Sequence, residues 1–187
     1  MRKIQGGYAA HKLGIPDSNT GAYCKARRRL DPAKLRAVHQ HTAQGLQAHV
    51  SQQQLWCGRP VKVVDGTGVS MPDTPENQKV FPQSSGQKPG CGFPVAKLVG
   101  CFCLSSGALI DWVEGTLKNH EYALFRTMWN LFEKGDVVLT DRGFCAFEAI
   151  ARLLRRGVDS VMRLHQARYA DFRRGKRISK NEKLVHW

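Results

Sequence analysis

Apolar residues in the first third of the chain recur every three or four positions, which is the period of an amphipathic helix. The recurring positions are Leu35, Val38, Thr42, Leu46 and Val50. Asp31 can cap this helix and Pro32 suits its first turn, so the helix is predicted to run from residue 31 to about Trp56. Residues 1–30 show no clear period and end in three arginines, which indicates an irregular basic lead-in.

Beyond residue 60, short apolar runs rich in β-branched residues alternate with further helical patterns. Strands are predicted at 61–65, 95–104, 108–114, 136–141 and 158–164, and helices at 119–133 and 145–156. Ser105-Ser106-Gly107 is predicted to form the turn between the second and third strands, and Asn119 to cap the helix that follows them. Residues 72–94 are dense in Pro, Gly, Ser and Gln, which indicates a long exposed loop.

The two later helices each carry one apolar stripe, which predicts that each packs one side into the core. The stripe of the first comprises Tyr122, Phe125, Met128, Trp129 and Phe132. The stripe of the second comprises Phe147, Ile150, Ala151 and Leu154. Both stripes are expected to serve packing and to bind no cofactor.

The order of the elements is strand, strand, strand, helix, strand, helix, strand. Three antiparallel strands followed by strands that return through helices is the order of a ribonuclease H-like α/β fold, a mixed sheet with flanking helices, here preceded by an α-helical segment. In that sheet the first and fourth strands lie side by side. Asp65 and Asp141, which end those two strands, are therefore predicted to be neighbours.

Asp65 and Asp141 each stand where a β-branched run gives way to a glycine-bearing turn. A single aspartate at such a place is commonly a turn or cap residue. Two carboxylates that meet at the ends of buried strands suit Mg²⁺ or Mn²⁺ better than they suit a hydrophobic core. The pair therefore predicts a metal-dependent phosphoryl-transfer site.

Lysine and arginine outnumber aspartate and glutamate by 29 to 15, which gives a formal net charge of +14. Such an excess favours a polyanionic partner, and nucleic acid is the default, with binding that weakens steeply with salt. An anionic membrane surface is the rival, but no apolar run approaches the roughly 18 residues of a spanning helix. No signal peptide is recognisable, so a cytoplasmic protein without a membrane partner is expected. The six cysteines are expected to be reduced thiols.

A basic stretch lies between residues 163 and 183, with Tyr169 and Phe172 among its cations. Such a stretch can follow a DNA backbone, and it can also be a solvated flap. Arg142 lies beside the predicted metal site and could reach a phosphate in a bidentate manner, or form a surface salt bridge. The residues predicted to contact DNA are Arg142, Arg163, Arg168, Arg173, Arg174, Lys176 and Arg177.

The two aspartate motifs and the sequence around them resemble the bacterial DDE transposases of the insertion sequence 4 family. The stretches that carry the resemblance are Thr20-Gly21-Ala22-Tyr23-Cys24, Asp65-Gly66-Thr67, Asp141-Arg142-Gly143-Phe144, Val158-Asp159-Ser160-Val161-Met162-Arg163 and residues 171–177. The resemblance implies a ribonuclease H-like catalytic core that binds Mg²⁺, for which Mn²⁺ can substitute. It also implies cut-and-paste movement of a DNA element. The implied partners are the inverted-repeat ends of the element and the target DNA, and a homo-oligomer on DNA is compatible with the resemblance.

The chain departs from the family pattern at the third acid. The family carries a glutamate on a later helix, within a Tyr-x2-Arg-x3-Glu-x6-Lys signature, and none of the tyrosines considered at positions 23, 122 and 169 begins that pattern. We therefore expect an internal or truncated fragment that is inactive by itself, with a sheet incomplete at its C-terminus. Residues 1–58 are expected to be a remnant of an N-terminal DNA-binding region, 59–165 the first part of the catalytic core, and 166–187 the start of an insertion before the missing last core helix.

Two other interpretations remain open from the residues alone. The chain could be a non-catalytic DNA-binding remnant that interferes with an intact transposase. It could also be a stand-alone nuclease of similar fold whose third acid is Glu148, Asp159 or Asp171. Only the nuclease interpretation requires a third carboxylate of this chain to join Asp65 and Asp141.

Overall fold

The computed structural model describes residues 21–167 and 171–185. The chain divides into two compact units, Met1–Thr42 and Ala43–Trp187. The described part of the first unit holds helix α1, Gly21–Arg28, and the start of helix α2, Pro32–Ala48. The Oδ1 atom of Asp31 accepts a hydrogen bond from the amide of Ala33 at 2.9 Å, as the predicted cap requires.

Helix α2 differs from its prediction in length and in burial. It ends at Ala48 because Ser51 and Gln54 form a capping box that starts a separate 3-10 helix, Gln52–Gln54. The predicted apolar stripe is not buried, since Leu35, Val38 and Leu46 are 51%, 66% and 48% exposed. The buried residue of this helix is Ala43, which packs with Cys103 and Ala108.

Five strands form one mixed sheet, which confirms the predicted ribonuclease H-like fold class. The strands are β1 (Val61–Ser70), β2 (Val95–Cys103), β3 (Leu109–Thr116), β4 (Val137–Thr140) and β5 (Asp159–Met162). They lie in the order β3-β2-β1-β4-β5, with β1 antiparallel to β2 and parallel to β4. The first and fourth strands are therefore neighbours, as the element order predicted.

Strand β1 is longer than predicted, because β2 pairs with it from Lys62 through Ser70. Its pairing with β4 is shorter and ends where Val64 meets Thr140. Asp65 therefore lies inside β1 and not at its end. With respect to β4, however, it occupies the first position beyond the shared pairing.

Two helices cover one face of the sheet. Helix α4 (Glu121–Phe125) continues as a 3-10 helix, Arg126–Leu131, and helix α5 covers Phe147–Arg155. The predicted stripe of the first helix is confirmed, with Phe125, Met128 and Phe132 at most 2% exposed. Asn119 does not cap this helix, because its Oδ1 atom instead accepts hydrogen bonds from the amide and hydroxyl of Thr116 at 2.8 and 2.9 Å.

The predicted inward stripe of α5 is wrong at its two ends, whereas Ile150 and Ala151 are half-buried. Phe147 and Leu154 are each 62% exposed, whereas Ala149 and Leu153 are fully buried. The reason lies one turn earlier, where Phe144 packs edge-to-face on Phe125 with ring centroids 5.4 Å apart. Phe144 occupies the core position that the prediction gave to Phe147, so the helix presents its neighbouring face.

The β1–β2 connection was predicted to be a long exposed loop, and it instead contains a helix, α3 (Pro75–Val80). Thr74 caps α3 by accepting a hydrogen bond from the amide of Asn77. Glutamine side chains hold the rest together, with Gln78 Nε2 donating to Asp73 and Gly92, and Gln83 Nε2 donating to the carbonyl of Lys88. Glutamines read as loop formers thus act as cross-links.

The opposite face of the sheet is apolar and partly open to solvent within the described residues. Trp56, Leu104 and Val161 are 53%, 55% and 48% exposed there, around a groove of about 240 Å³. Leu139 and Val61 also line this groove. The main core cluster of the described chain therefore sits on the helix-covered face.

The basic C-terminal stretch is folded where it is described. A 3-10 helix, Phe172–Arg174, precedes a hairpin of β6 (Lys176–Arg177) and β7 (Lys183–Leu184). The six cysteines are free thiols, as predicted. Among the described residues, no helix has both the length and the apolarity to cross a membrane.

Candidate active site

Asp65 and Asp141 follow the last residue pair shared by β1 and β4. That pair is Val64 with Thr140. Asp65 directly follows Val64, and Asp141 directly follows Thr140. Adjacent strands lie roughly 4.8 Å apart, so the two side chains start from neighbouring backbone positions. The structure thus brings the predicted pair together at the carboxyl edge of β4.

Each of these carboxylates accepts a short hydrogen bond from the backbone. Asp65 Oδ1 accepts from the amide of Gly66 at 2.8 Å, and Asp141 Oδ1 accepts from the amide of Gly143 at 2.8 Å. Asp141 thereby caps the 3-10 helix Arg142–Phe144, the structural role considered for a lone aspartate. This role involves one oxygen only, so capping and cation binding are compatible at Asp141.

Neither carboxylate has a cationic partner within residues 21–167 and 171–185. The ion pairs of that part involve other acids, and both Asp65 and Asp141 are exposed. Two neighbouring anions without a neutralising side chain repel each other, and a divalent cation removes that repulsion. The donor set therefore fits Mg²⁺ or Mn²⁺ as two of its oxygen ligands.

The other carboxylates considered as a third acid are already engaged. Glu148 accepts a hydrogen bond from the hydroxyl of Tyr122 at 3.1 Å and pairs with Arg126 at 3.3 Å. Burial and this bond to Glu148 raise the pKa of Tyr122 above its ordinary value. Asp159 lies at the opposite, amino end of β5, where it pairs with Arg59.

Asp171, the last of these acids, pairs with Arg173 at 3.0 Å. Its side-chain and backbone hydrogen bonds from Arg173 hold the pKa of Asp171 below its ordinary value. Across the described ranges, no group of three or more His, Cys, Asp or Glu residues is arranged to hold a metal ion. Asp65 and Asp141 thus stand as a pair.

One acid near the pair, Glu121, was not among the site residues predicted from the sequence. A Cβ added to Gly66 would lie 2.6 Å from the Cδ atom of Glu121, so this carboxyl rests on the backbone beside Asp65. Glu121 also lines a cleft that reaches Gly143. The contact joins residues 55 positions apart, and no local pattern signals it.

The predicted DNA contacts divide by position. Arg142 directly follows Asp141 and donates to Gln166 Oε1 at 3.0 Å, while Arg163 is exposed one residue after Met162, the partner of Thr140. Both therefore lie at the edge that carries the aspartate pair. Arg168 lies outside the described residues.

The remaining predicted contacts lie in the C-terminal segment. Arg173 is held by Asp171, which raises the pKa of Arg173, and Arg177 Nε donates to the carbonyl of Ser179 at 3.1 Å. Arg174 and Lys176 are exposed. A DNA-contact role for these residues stays a prediction.

Comparison with known proteins agrees with the geometry of this edge. The family model described as "Transposase DDE domain" matches residues 56–187, a range that holds both aspartates. The chain is 32% identical over 123 residues to "Transposase InsG for insertion sequence element IS4" of Escherichia coli (strain K12). That alignment covers 66% of this chain and 28% of the relative, so the chain spans less than a third of that relative's length.

No solved structure matches the chain. The family match covers well over half of the residues and includes every strand of the five-stranded sheet. It also contains the two motifs on which the resemblance rested. The chain therefore belongs to the DDE transposases, of the type found in insertion sequence element IS4.

Proposed function

We propose that Asp65 and Asp141 hold a divalent cation, Mg²⁺ or Mn²⁺, at the cutting and joining centre of a DNA transposase. The observation that carries this proposal is the placement of two exposed, unneutralised carboxylates at adjacent positions of parallel strands. Asp136 and Asp159, at the amino ends of β4 and β5, have cationic partners instead. Membership in the DDE family supplies the reaction class.

The residues of the chain give this site its orientation. The amides of Gly66 and Gly143 each fix one carboxylate oxygen and leave the other for a ligand. In two-metal-ion phosphoryl transfer, one cation would activate an attacking water or 3′ hydroxyl, and a second would stabilise the leaving oxygen of a DNA phosphodiester. Arg142 and Arg163 would bind the phosphates that flank the cut, at inverted-repeat ends and in target DNA.

We propose further that this chain by itself cuts DNA poorly or not at all. Two carboxylates hold a divalent cation more weakly than three, because affinity rises with the number of charged ligands. No third acid joins the pair within the described residues. The proposal does not require a homo-oligomer on DNA, which stays a separate expectation of family membership.

The test is Mn²⁺ binding to the isolated chain, measured by electron paramagnetic resonance of the free ion. Asp65→Asn and Asp141→Asn are each expected to weaken binding about tenfold or more, since each removes one charged ligand. Asp31→Asn is the matched control, because Asp31 is also an exposed cap and asparagine caps equally well. Equal binding by all four proteins would contradict the proposal.

A second candidate function is DNA binding without catalysis. It is favoured by the net charge of +14 together with the lack of a third acid among the described residues. It predicts that a variant carrying both Asp65→Asn and Asp141→Asn still binds DNA in a salt-sensitive manner. Loss of DNA binding in that double variant would count against it.

A further inference from the structure

A cleft of about 530 Å³ lies beside the aspartate pair, on the side of the sheet that α4 covers. It is lined by Lys97, His120, Glu121, Tyr122, Arg126 and Gly143. Its lining differs from the open groove on the other face, which is apolar. The cleft is thus a polar, partly basic cavity next to the proposed metal site.

The cleft exists because β1 lacks side chains where α4 approaches it. Gly66 leaves room for the carboxyl of Glu121, since a Cβ at this position would lie within 2.8 Å of Oε2. Gly68, two residues on, is paired with Lys97 of β2. The Lys97 side chain crosses toward α4, where Nζ donates to the carbonyl of Asn119 at 3.0 Å.

Two contacts connect the cleft to the aspartate pair. Glu121, in its wall, rests on Gly66, the residue after Asp65. Gly143, also in its wall, donates its amide to Asp141. The cleft therefore contacts the residue after Asp65 and the residue that donates to Asp141.

The cationic side chains of the cleft have more N–H donors than they have acceptors within the described residues. Lys97 has three donors and Nζ makes the one bond to Asn119, and Arg126 has five donors with one short contact to Glu148. His120, which immediately precedes α4, is exposed. Glu121 opposes an anion in the cleft, but it lies at the end nearest Asp65.

We infer that this cleft binds a backbone phosphate of the DNA strand that passes Asp65 and Asp141, with Lys97 as the principal donor and His120 beside it. The inference rests on the proposed function in taking DNA as the substrate. It adds a positioning contact on the helix side of the sheet, separate from Arg142 and Arg163. Phosphate contacts of this kind set the register of a strand at the site of chemistry.

The test is the salt dependence of binding to a labelled DNA duplex, followed by fluorescence anisotropy without divalent metal. Lys97→Gln is expected to lower the slope of log affinity against log salt by about one unit, because one phosphate contact is lost. Affinity at 0.1 M salt should fall by about tenfold for the same reason. Lys97→Arg, which keeps the charge, should restore most of the slope.

Lys118→Gln is the matched control, since Lys118 is exposed in the turn before α4 and does not line the cleft. An unchanged slope in Lys97→Gln, or an equal loss in Lys118→Gln, would overturn the inference. A second experiment replaces one phosphate of the duplex at a time by a neutral methylphosphonate, which locates the contact. Lys97→Gln should become insensitive to one neutral linkage that weakens the wild type, and equal sensitivity at every linkage would also overturn it.

The outcomes separate this inference from the proposed function. Loss of slope in Lys97→Gln together with normal Mn²⁺ binding by Asp65→Asn would support the cleft and reject the metal pair. Normal slope in Lys97→Gln with weakened Mn²⁺ binding in Asp65→Asn would do the reverse. Absence of salt-sensitive binding by the wild type would reject the cleft contact, whatever the metal result.

Discussion

The two ends of the β1–β4 pair treat their aspartates in opposite ways. At the amino end, Asp136 is 4% exposed and pairs with Lys62 at 2.6 Å, and Asp159 pairs with Arg59 at 2.6 Å. At the carboxyl end, Asp65 and Asp141 are exposed and have backbone amides as their partners in the described chain. One end therefore neutralises its negative charge internally, and the other leaves it for a ligand.

The comparison shows that an aspartate near the end of a strand does not by itself indicate a cation site. Its hydrogen-bond and ion-pair partners must be known first. Asp136 also accepts a hydrogen bond from the amide of Glu133, and Lys62 also donates to the carbonyl of Leu131 at 2.6 Å. These contacts fasten the end of the α4 layer to the sheet. The amino end is structural, whereas the carboxyl end has the features of a cation site.

The largest effect is expected at the structural end. Lys62→Met leaves Asp136 buried without its cation, and removing one partner of a buried pair costs about 3–5 kcal/mol. We expect the free energy of unfolding in urea to fall by that amount. The matched control is Lys118→Met, at an exposed lysine, which should change it by less than about 0.5 kcal/mol. Similar values for both variants would contradict the assignment of this end as structural.

The next largest effect is expected at the carboxyl end, where a bound cation, and not an internal ion pair, should stabilise the folded protein. Saturating Mn²⁺ should raise the unfolding free energy of the wild type, by about 2.7 kcal/mol at a hundredfold excess over the dissociation constant. Asp65→Asn, if binding weakens tenfold, should lose about half of that gain, and more if binding weakens further, while unfolding normally without metal. A thermal shift by Mn²⁺ that survives in Asp65→Asn would show that the ion binds elsewhere.

A pH effect should report how dry the core is around Cys101, which is paired with Val64. Burial, chiefly, raises the pKa of the Cys101 thiol from 9.0 to about 12, and the charges of Lys62 and Asp136 act on it in opposite senses. Because the folded pKa is the higher one, the stabilisation is complete below pH 9 and is lost as the pH rises from 9 toward 12. The expected slope is about 1.4 kcal/mol per pH unit at most.

Urea unfolding at several pH values between 8 and 10.5 measures this slope. Cys101→Ala should show a shallower decline than the wild type, whereas Cys91→Ala, at an exposed thiol, should match it. A thiol reagent at pH 8 provides an independent check. It should modify the exposed Cys24, Cys57 and Cys91 in the folded protein and spare Cys101 until the chain unfolds.

The sheet and the aspartate pair followed from the sequence because both depend on order along the chain. Three strands, a helix, a strand, a helix and a strand admit few topologies, and the observed one places β1 beside β4. The register then makes Asp65 and Asp141 neighbours without further information. Features set by chain order were thus within reach of sequence reasoning.

Features set by contacts between distant residues were not predictable. The stripe of α5 was misassigned because Phe144, outside the helix, fills the core position that periodicity gave to Phe147. Gln78 and Gln83 hold the 72–94 connection together through hydrogen bonds that composition cannot reveal. Glu121 reaches the site only because Gly66 leaves it room.

The smallest expected effects compare one exposed aspartate from each end. Asp159→Asn removes an ion pair whose aspartate side chain is 60% exposed, and such pairs are worth roughly 0.2–1 kcal/mol. Asp141→Asn removes no ion pair seen in the described chain, and asparagine keeps the cap on Gly143. Without metal, we therefore expect Asp159→Asn to lose stability slightly and Asp141→Asn to lose none. Urea unfolding of the two variants measures this difference in stability. An equal loss in both would mean that Asp141 stabilises the fold, and the main contrast between the two ends would then disappear.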